Sequence, residues 1–275
     1  MVFPLKPSIS RRHGFRWLPH PTNPPPTEPA SVLVLTTPTG IFIDVRLHLR
    51  HPIPSIPSTF PPLSDPAHPA NTLFEHPSTF TGLEWAFDGL VNYYPDGQDT
   101  DGGAVRGVWQ HRVDSSTKTP ASDEGIMRDR SDGAVVETGV MVNAETGMGC
   151  GYEEIWVDVP ACSVGGMRGL FVAVKCEDER TGAMGRVIWM GQYCQGIMRK
   201  GNDVTVERWE FEADDEEWRL TFRVGGGSLP CRWLFGCDDF THGMRIRVPS
   251  LEGAVEDAWF VVEQDWSPDE QAPST

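Results

Sequence analysis

The chain has 275 residues, 39% of them hydrophobic, with 10 Trp, 13 Phe and a net charge of −16. This length can bury a substantial aromatic core without disulfide support, in one large domain or two of ordinary size. The acidic balance argues against nucleic acid as a partner, because phosphate binding needs a basic surface. No apolar run reaches the ~18 residues of a membrane helix, so no membrane insertion is expected.

The N-terminus, Met-Val-Phe-Pro-Leu-Lys-Pro, lacks the apolar core of a secretory signal. Residues 1–50 carry six Lys and Arg against only Glu28 and Asp44, so the excess of acid lies in the remainder. Ser8 to Pro19 leads into a proline tract over residues 19–30, which reads as an extended connection. The first clear hairpin is Ser31 to Thr37, the turn Pro38-Thr39-Gly40, and Ile41 to Arg50. In its second strand Ile41, Ile43, Val45, Leu47 and Leu49 alternate with Phe42, Asp44, Arg46, His48 and Arg50. That pattern predicts one core face and one mostly wet face.

Eight prolines between Pro52 and Pro77 mark residues 51–79 as a long surface loop or insertion. Strand-like runs resume at Leu83–Phe87, with a Gly/Asp-rich loop over residues 94–103. Further strands are expected over 105–113, 123–127, 133–142 and 149–158. Pro160 to Gly169 is small and nearly uncharged, and a domain boundary is placed there.

The second half centres on residues 185–211. Two β-rich runs, 185–199 and 204–211, flank a Lys200-Gly201-Asn202-Asp203 connector, which is a hairpin signal. In the first run Val187, Trp189, Tyr193 and Ile197 form one set, and Ile188, Met190, Cys194 and Met198 the other. A strand apolar on both sets has cover on both faces and lies in the middle of the molecule. Further strands are expected over 169–175, 218–224, 231–235, 244–248 and 258–263, and the polar tail reads as disordered.

About thirteen short strands, glycine-rich turns and almost no helical periodicity predict an all-β chain of two tandem antiparallel β-barrel domains. Their ranges are 1–160 and 161–266, with a disordered tail over 267–275. The six cysteines form no C-x-x-C pair and read as reduced, buried thiols of a cytosolic or nuclear protein. The eight histidines show no metal spacing. Neither a metal site nor a cofactor is expected.

Candidate chemistry is sparse. Cys194 with a histidine such as His111 would be a nucleophile–base pair, but a strand-borne Cys between Tyr193 and Gln195 reads as core. Glu153 and Glu154 are adjacent and so point to opposite faces of a strand. One inward Glu paired with Arg208 or Arg16 is a possibility that spacing leaves open, beside a solvated strand face. Gly225-Gly-Gly-Ser228 lacks the Lys-Ser/Thr and helix of a phosphate loop. Ser122 and Ser267 precede acids, as an acid-directed kinase prefers. A series of tryptophans could line a barrel cavity and stack a flat apolar ligand, or simply fill the core. The candidate cavity residues are Trp85, Trp156, Trp189, Gln192, Tyr193, Glu207 and Trp209.

Several stretches together carry a family resemblance: Ser8 to Pro19, Glu28 to Leu35, Leu83 to Phe87, Asp123 to Met127, Gly151 to Trp156, and Gly191 to Gly196 through Val206 to Trp209. On these the chain resembles the fungal Hri family, proteins named for association with a yeast casein kinase I homologue. The resemblance implies tandem barrels of the lipocalin-related (calycin) type, location in cytoplasm and nucleus, and a casein-kinase-type partner. It supplies no catalytic residues. The expected function is therefore a non-catalytic interaction protein. The alternative is a barrel that binds a small hydrophobic ligand, or an enzyme acting on one.

Overall fold

A computed structural model describes residues 6–19, 25–53, 80–97, 103–119, 121–164, 169–237, 239–248 and 257–266. The loop expected over 51–79 is strand as far as Ile53, and its remainder and the tail over 267–275 lie outside the described residues. Eight strands form the first unit: β1 (Ser8–Leu18), β2 (Glu28–Thr36), β3 (Ile41–Ile53), β4 (Phe80–Pro95), β5 (Val105–Asp114), β6 (Ser122–Asp129), β7 (Val135–Val142) and β8 (Gly149–Val159). Each pairs antiparallel with its successor, and β1 pairs with β8, so the sheet closes into a barrel. Closure leaves no unpaired strand edge in this unit.

The second unit is an antiparallel, barrel-like sheet built from β9 (Gly169–Asp178), β10 (Ala183–Met190), β11 (Tyr193–Lys200), β12 (Asp203–Glu212), β13 (Glu217–Val224), β14 (Arg245–Ile246) and β15 (Trp259–Trp266). Its strand order is β13-β12-β11-β10-β9-β15-β14. A one-turn helix, α1 (Cys231–Leu234), stands where a strand is expected over 231–235. Among the described residues no helix is long and apolar enough to cross a membrane. The all-β class is thus the observed one.

Two other expectations change, and one strand is added. Ser8–Leu18 is a strand, and it closes the barrel against β8. The run around Leu83–Phe87 is part of a 16-residue strand reaching Pro95. The run 185–199 is two strands rather than one. Gly191, at φ +52°, and Gln192 make a two-residue turn, and Met190 pairs with Tyr193. The turn reverses the alternation. Val187 and Trp189 share a face with Cys194 and Met198, while Ile188 and Met190 share the other with Tyr193 and Ile197. The connector at Gly201-Asn202 is the expected hairpin, with β11 ending at Lys200 and β12 starting at Asp203.

Both faces of this sheet are covered, as the apolar pattern requires. One face packs Phe171, Ala173, Ile188, Met190, Ile197 and Val206 against the outer wall of the barrel, at Ile9, Leu33, Leu35, Ile43, Val45 and Leu47. Each Val, Leu, Ile, Met or Phe among them contributes about 1.5–3 kcal/mol on burial. The other face packs under Leu229, Leu234, Phe240 and Ile246.

This docking inverts the expected sense of β3. Its apolar set faces outward, into the interface, and the set read as wet (Phe42, Asp44, Arg46) faces the barrel lumen. Arg208 of β12 pins the two units together. It is fully buried, and donates to Gln195 Oε1 (3.0 Å), Ser31 Oγ (2.7 Å) and the Val45 carbonyl (2.7 Å). Gln195 Nε2 donates in turn to the Leu33 carbonyl (3.0 Å). At the rim, Glu263 of β15 accepts from the hydroxyls of Thr37 (2.5 Å) and Thr39 (2.6 Å) in the β2–β3 turn.

Candidate functional site

Alternation on eight closed strands sends one set of side chains inward, and that set is unusually polar. From β3 come Asp44 and Arg46, from β7 Glu137, and from β8 Tyr152, Glu154 and Asp158. They do not fill the barrel. A cavity of about 180 Å³ remains, walled on the apolar side by Phe42, Trp85, Phe87, Tyr93, Trp109 and Trp156. Exposed Glu124 and Val140 also line it, which places its mouth at β6 and β7.

The floor is an ion-pair network. Arg12 donates to both oxygens of Glu28 (2.9 and 3.0 Å) and to Glu154 Oε1 (2.5 Å). Arg46 donates to Asp44 Oδ2 from Nε (3.0 Å) and Nη2 (2.9 Å), and to Glu154 Oε1 from Nη1 (3.3 Å). The Arg46 guanidinium lies 5.1 Å over the Trp85 ring and 5.6 Å over Phe87. Burial opposes the charge on both arginines, but their carboxylate neighbours outweigh it and raise both pKa values. Burial raises the Asp44 and Glu28 carboxyls despite their arginine partners.

Glu137 has no arginine of its own. Tyr152 Oη donates to its Oε1 (2.7 Å), and the Trp156 indole favours its charge from just beyond hydrogen-bond geometry. Burial, then the Glu154 charge, push the Glu137 carboxyl up to about 8. One acceptor of a lining residue is left over: Asp44 Oδ1 is buried and has no hydrogen-bond partner among the described residues.

Glycines shape the opposite wall. Gly107, Gly125 and Gly139 stand in register across β5, β6 and β7. A Cβ at these positions would lie 2.4 Å from the Trp109 ring, 2.5 Å from Glu137 Oε1 and 2.6 Å from Tyr152 Oη. The bare backbone is the trough in which those side chains lie.

A second polar cluster stands behind the aromatic wall. His111 stacks on Phe87 (centroids 4.1 Å apart), with Nδ1 2.9 Å from Asp114 and Nε2 3.2 Å from Asp123, which lines the cavity. Trp85 Nε1 donates to Asp114 Oδ1 (2.8 Å). Burial pulls the imidazole pKa down, but the two aspartates outweigh it and hold His111 at about 9.

Of the residues expected to line a cavity, the structure brings Trp85 and Trp156 together there. The other five lie in or beside the second sheet. Trp189 donates to the Gly191 carbonyl (3.0 Å) inside the apolar core. Gln192 fastens the segment between the units, donating to Pro160 O (3.0 Å) and accepting from Cys162 N (2.8 Å). Tyr193 accepts from Arg11 (3.1 Å) at the interface. Glu207 accepts from Trp209 Nε1 (2.8 Å) and pairs with Arg223.

Cys194 is buried among apolar side chains of the second sheet, whereas His111 belongs to the barrel. Glu153 and Glu154 do point apart. Glu153 pairs with Arg16 (2.9 Å) and Glu154 faces the lumen. The residues that sequence reading missed are Asp44, Arg46, Glu137 and Tyr152. Their signal was present in β3, where two opposite charges stand two apart on an alternating strand beside Phe42, but only closure says that this face is a lumen.

The comparisons with known proteins agree with this architecture. A crystal structure of an uncharacterized protein from Saccharomyces cerevisiae superposes with a TM-score of 0.61 at 18% identity, over 94% of this chain and 98% of that one. At that identity the likeness is one of fold. No curated protein matches the chain. The family model described as Protein HRI1 matches residues 8–263, nearly the whole length, and the chain belongs to the HRI1 family.

Proposed function

We propose that the protein is a binding protein whose barrel holds one small ligand. The observation that carries this reading is the cavity of about 180 Å³, one of whose lining residues, Asp44, keeps a buried carboxylate oxygen without a hydrogen-bond partner. Buried polar atoms are paired in folded proteins with few exceptions, and each exception calls for an explanation, which a bound ligand would supply here. The volume is below the ~300 Å³ of drug-sized pockets, but a ~150 Å³ cavity admits benzene. The ligand is therefore of the size of a substituted six-membered ring. Native mass spectrometry of the protein purified from its own host at natural abundance tests this. A retained mass of about one such molecule supports the reading. A bare chain, together with unchanged Trp fluorescence across a library of small molecules of all charges, overturns it.

A second reading is the association with a casein-kinase-type partner, in cytoplasm and nucleus, that the family resemblance implies. It is favoured by an exposed apolar patch at the β7–β8 hairpin, where Val140, Val142 and Met148 are 73%, 68% and 62% exposed. A pull-down with wild type and a V140S/V142S double variant tests it. Equal capture of the kinase, or capture by neither, counts against this surface.

A further inference from the structure

We infer that the ligand of this cavity is a small organic cation, a protonated amine on a compact apolar or aromatic body. The inference rests on the binding reading above and names its chemical class.

The lining holds six carboxyl groups, on Asp44, Asp123, Glu124, Glu137, Glu154 and Asp158, and one guanidinium, that of Arg46. The cations in and around the cavity are already engaged. Arg46 gives Nε and Nη2 to Asp44 and Nη1 to Glu154. Arg12, reaching Glu154 from behind the lining, gives its remaining donors to Glu28. His111 lies between Asp114 and Asp123, and Arg106 meets Glu124 at the mouth (3.3 Å).

An anionic ligand would therefore enter a lining of carboxyl groups, where the arginines and the histidine that could meet it already hold carboxylates. A neutral apolar ligand would leave Asp44 Oδ1 buried and unpaired, and such an acceptor costs the full desolvation of the group. An ammonium donates to that oxygen directly. It would also add positive charge beside a carboxyl that burial disfavours and that Arg46, and more weakly Arg12, offset only in part.

The aromatic walls suit the same charge. Arg46 already shows how a cation sits here, over Trp85 and Phe87. Trp109 and Tyr93, in edge contact at 6.1 Å, bring two further π-systems to the lining. Rings of this kind attract an organic ammonium through their quadrupoles and its body through apolar contact.

The test uses the full chain and two size-matched probe sets at pH 7: phenethylamine, 2-phenylethanol and phenylacetate, then butylamine, butanol and butyrate. Calorimetry and Trp fluorescence read the affinities. The amine of at least one set is expected to bind at least about tenfold tighter than its alcohol, with no measurable binding of the acid. Asp44→Asn is expected to remove that preference. The probe comparison on unaltered protein decides the matter even if Asp44→Asn does not fold. An alcohol or acid that binds as tightly as its amine overturns the cation inference and leaves the binding reading standing. Six probes without effect also overturn the cation inference, and the retained mass in native mass spectrometry then decides the binding reading separately.

Discussion

Glu137 is the residue on which the lumen's electrostatics can be measured. Its carboxyl titrates near 4.5 in the unfolded chain and near 8 in the folded one. Between those values the folded protein holds a proton that the unfolded chain has released, so this group makes stability fall as pH rises. Glu137→Gln removes the effect and keeps an acceptor for Tyr152. Denaturant titrations of variant and wild type from pH 5 to pH 8 should show the variant gaining on wild type, by up to about 1.4 kcal/mol per pH unit. His111 acts in a neighbouring window with a different chemistry. Its folded pKa is raised from 6.5 to about 9, so its charged form stabilises fully below pH 6.5 and that contribution is lost as pH rises through 9. His111→Gln should therefore cost most near pH 6 and less above pH 9 in titrations carried on to about pH 10. At this scale the sequence was partly legible. Adjacent Glu153 and Glu154 had to diverge because strand alternation is local, but which arginines met them could not be read. Arg12 and Arg46 reach Glu154 from 142 and 108 residues away.

At the scale of elements, glycine positions separate function from filler. Gly139 of β7 faces the lumen under the Tyr152 ring, and an added Cβ would lie 2.6–2.7 Å from that side chain. Gly149, at the start of β8, meets only Val140 at an ordinary 3.7 Å. Thermal and denaturant unfolding should find Gly139→Ala destabilised by about 1–3 kcal/mol, and Gly149→Ala within about 0.5 kcal/mol of wild type. The elements themselves were largely legible, because strand alternation and turn chemistry act over a few residues. The hairpin at Lys200–Asp203 and the two-sided cover of the 185–199 run both stood. The turn at Gly191-Gln192 did not show, because Gly-Gln is not a strong hairpin dipeptide and apolar residues continue through it on both sides. The strand Ser8–Leu18 was hidden for another reason. Arg11, Arg12 and His13 interrupt its apolar alternation, and only their tertiary surroundings make them buried.

At the scale of the molecule, the two units share an apolar interface with an arginine inside it. Replacing Arg208 by Met keeps length and apolar contact but strands Gln195 Oε1 and the Val45 carbonyl. Equilibrium unfolding should then show a loss of about 3 kcal/mol or more. A larger loss of signal from the second sheet's tryptophans at low denaturant would show the two units separating first. The sequence by itself determined the all-β class, most strands and several turns, and the family, because these follow from local periodicity, turn residues and contiguous motifs. What only the tertiary structure decided was which face of each barrel strand is inside. Alternation fixes that two faces differ, and it is silent on which one meets water. The second sheet supplies the apolar cover on the outer wall, so the polar set of β3 turns inward. A face that looked wet thereby becomes the charged lining of a cavity.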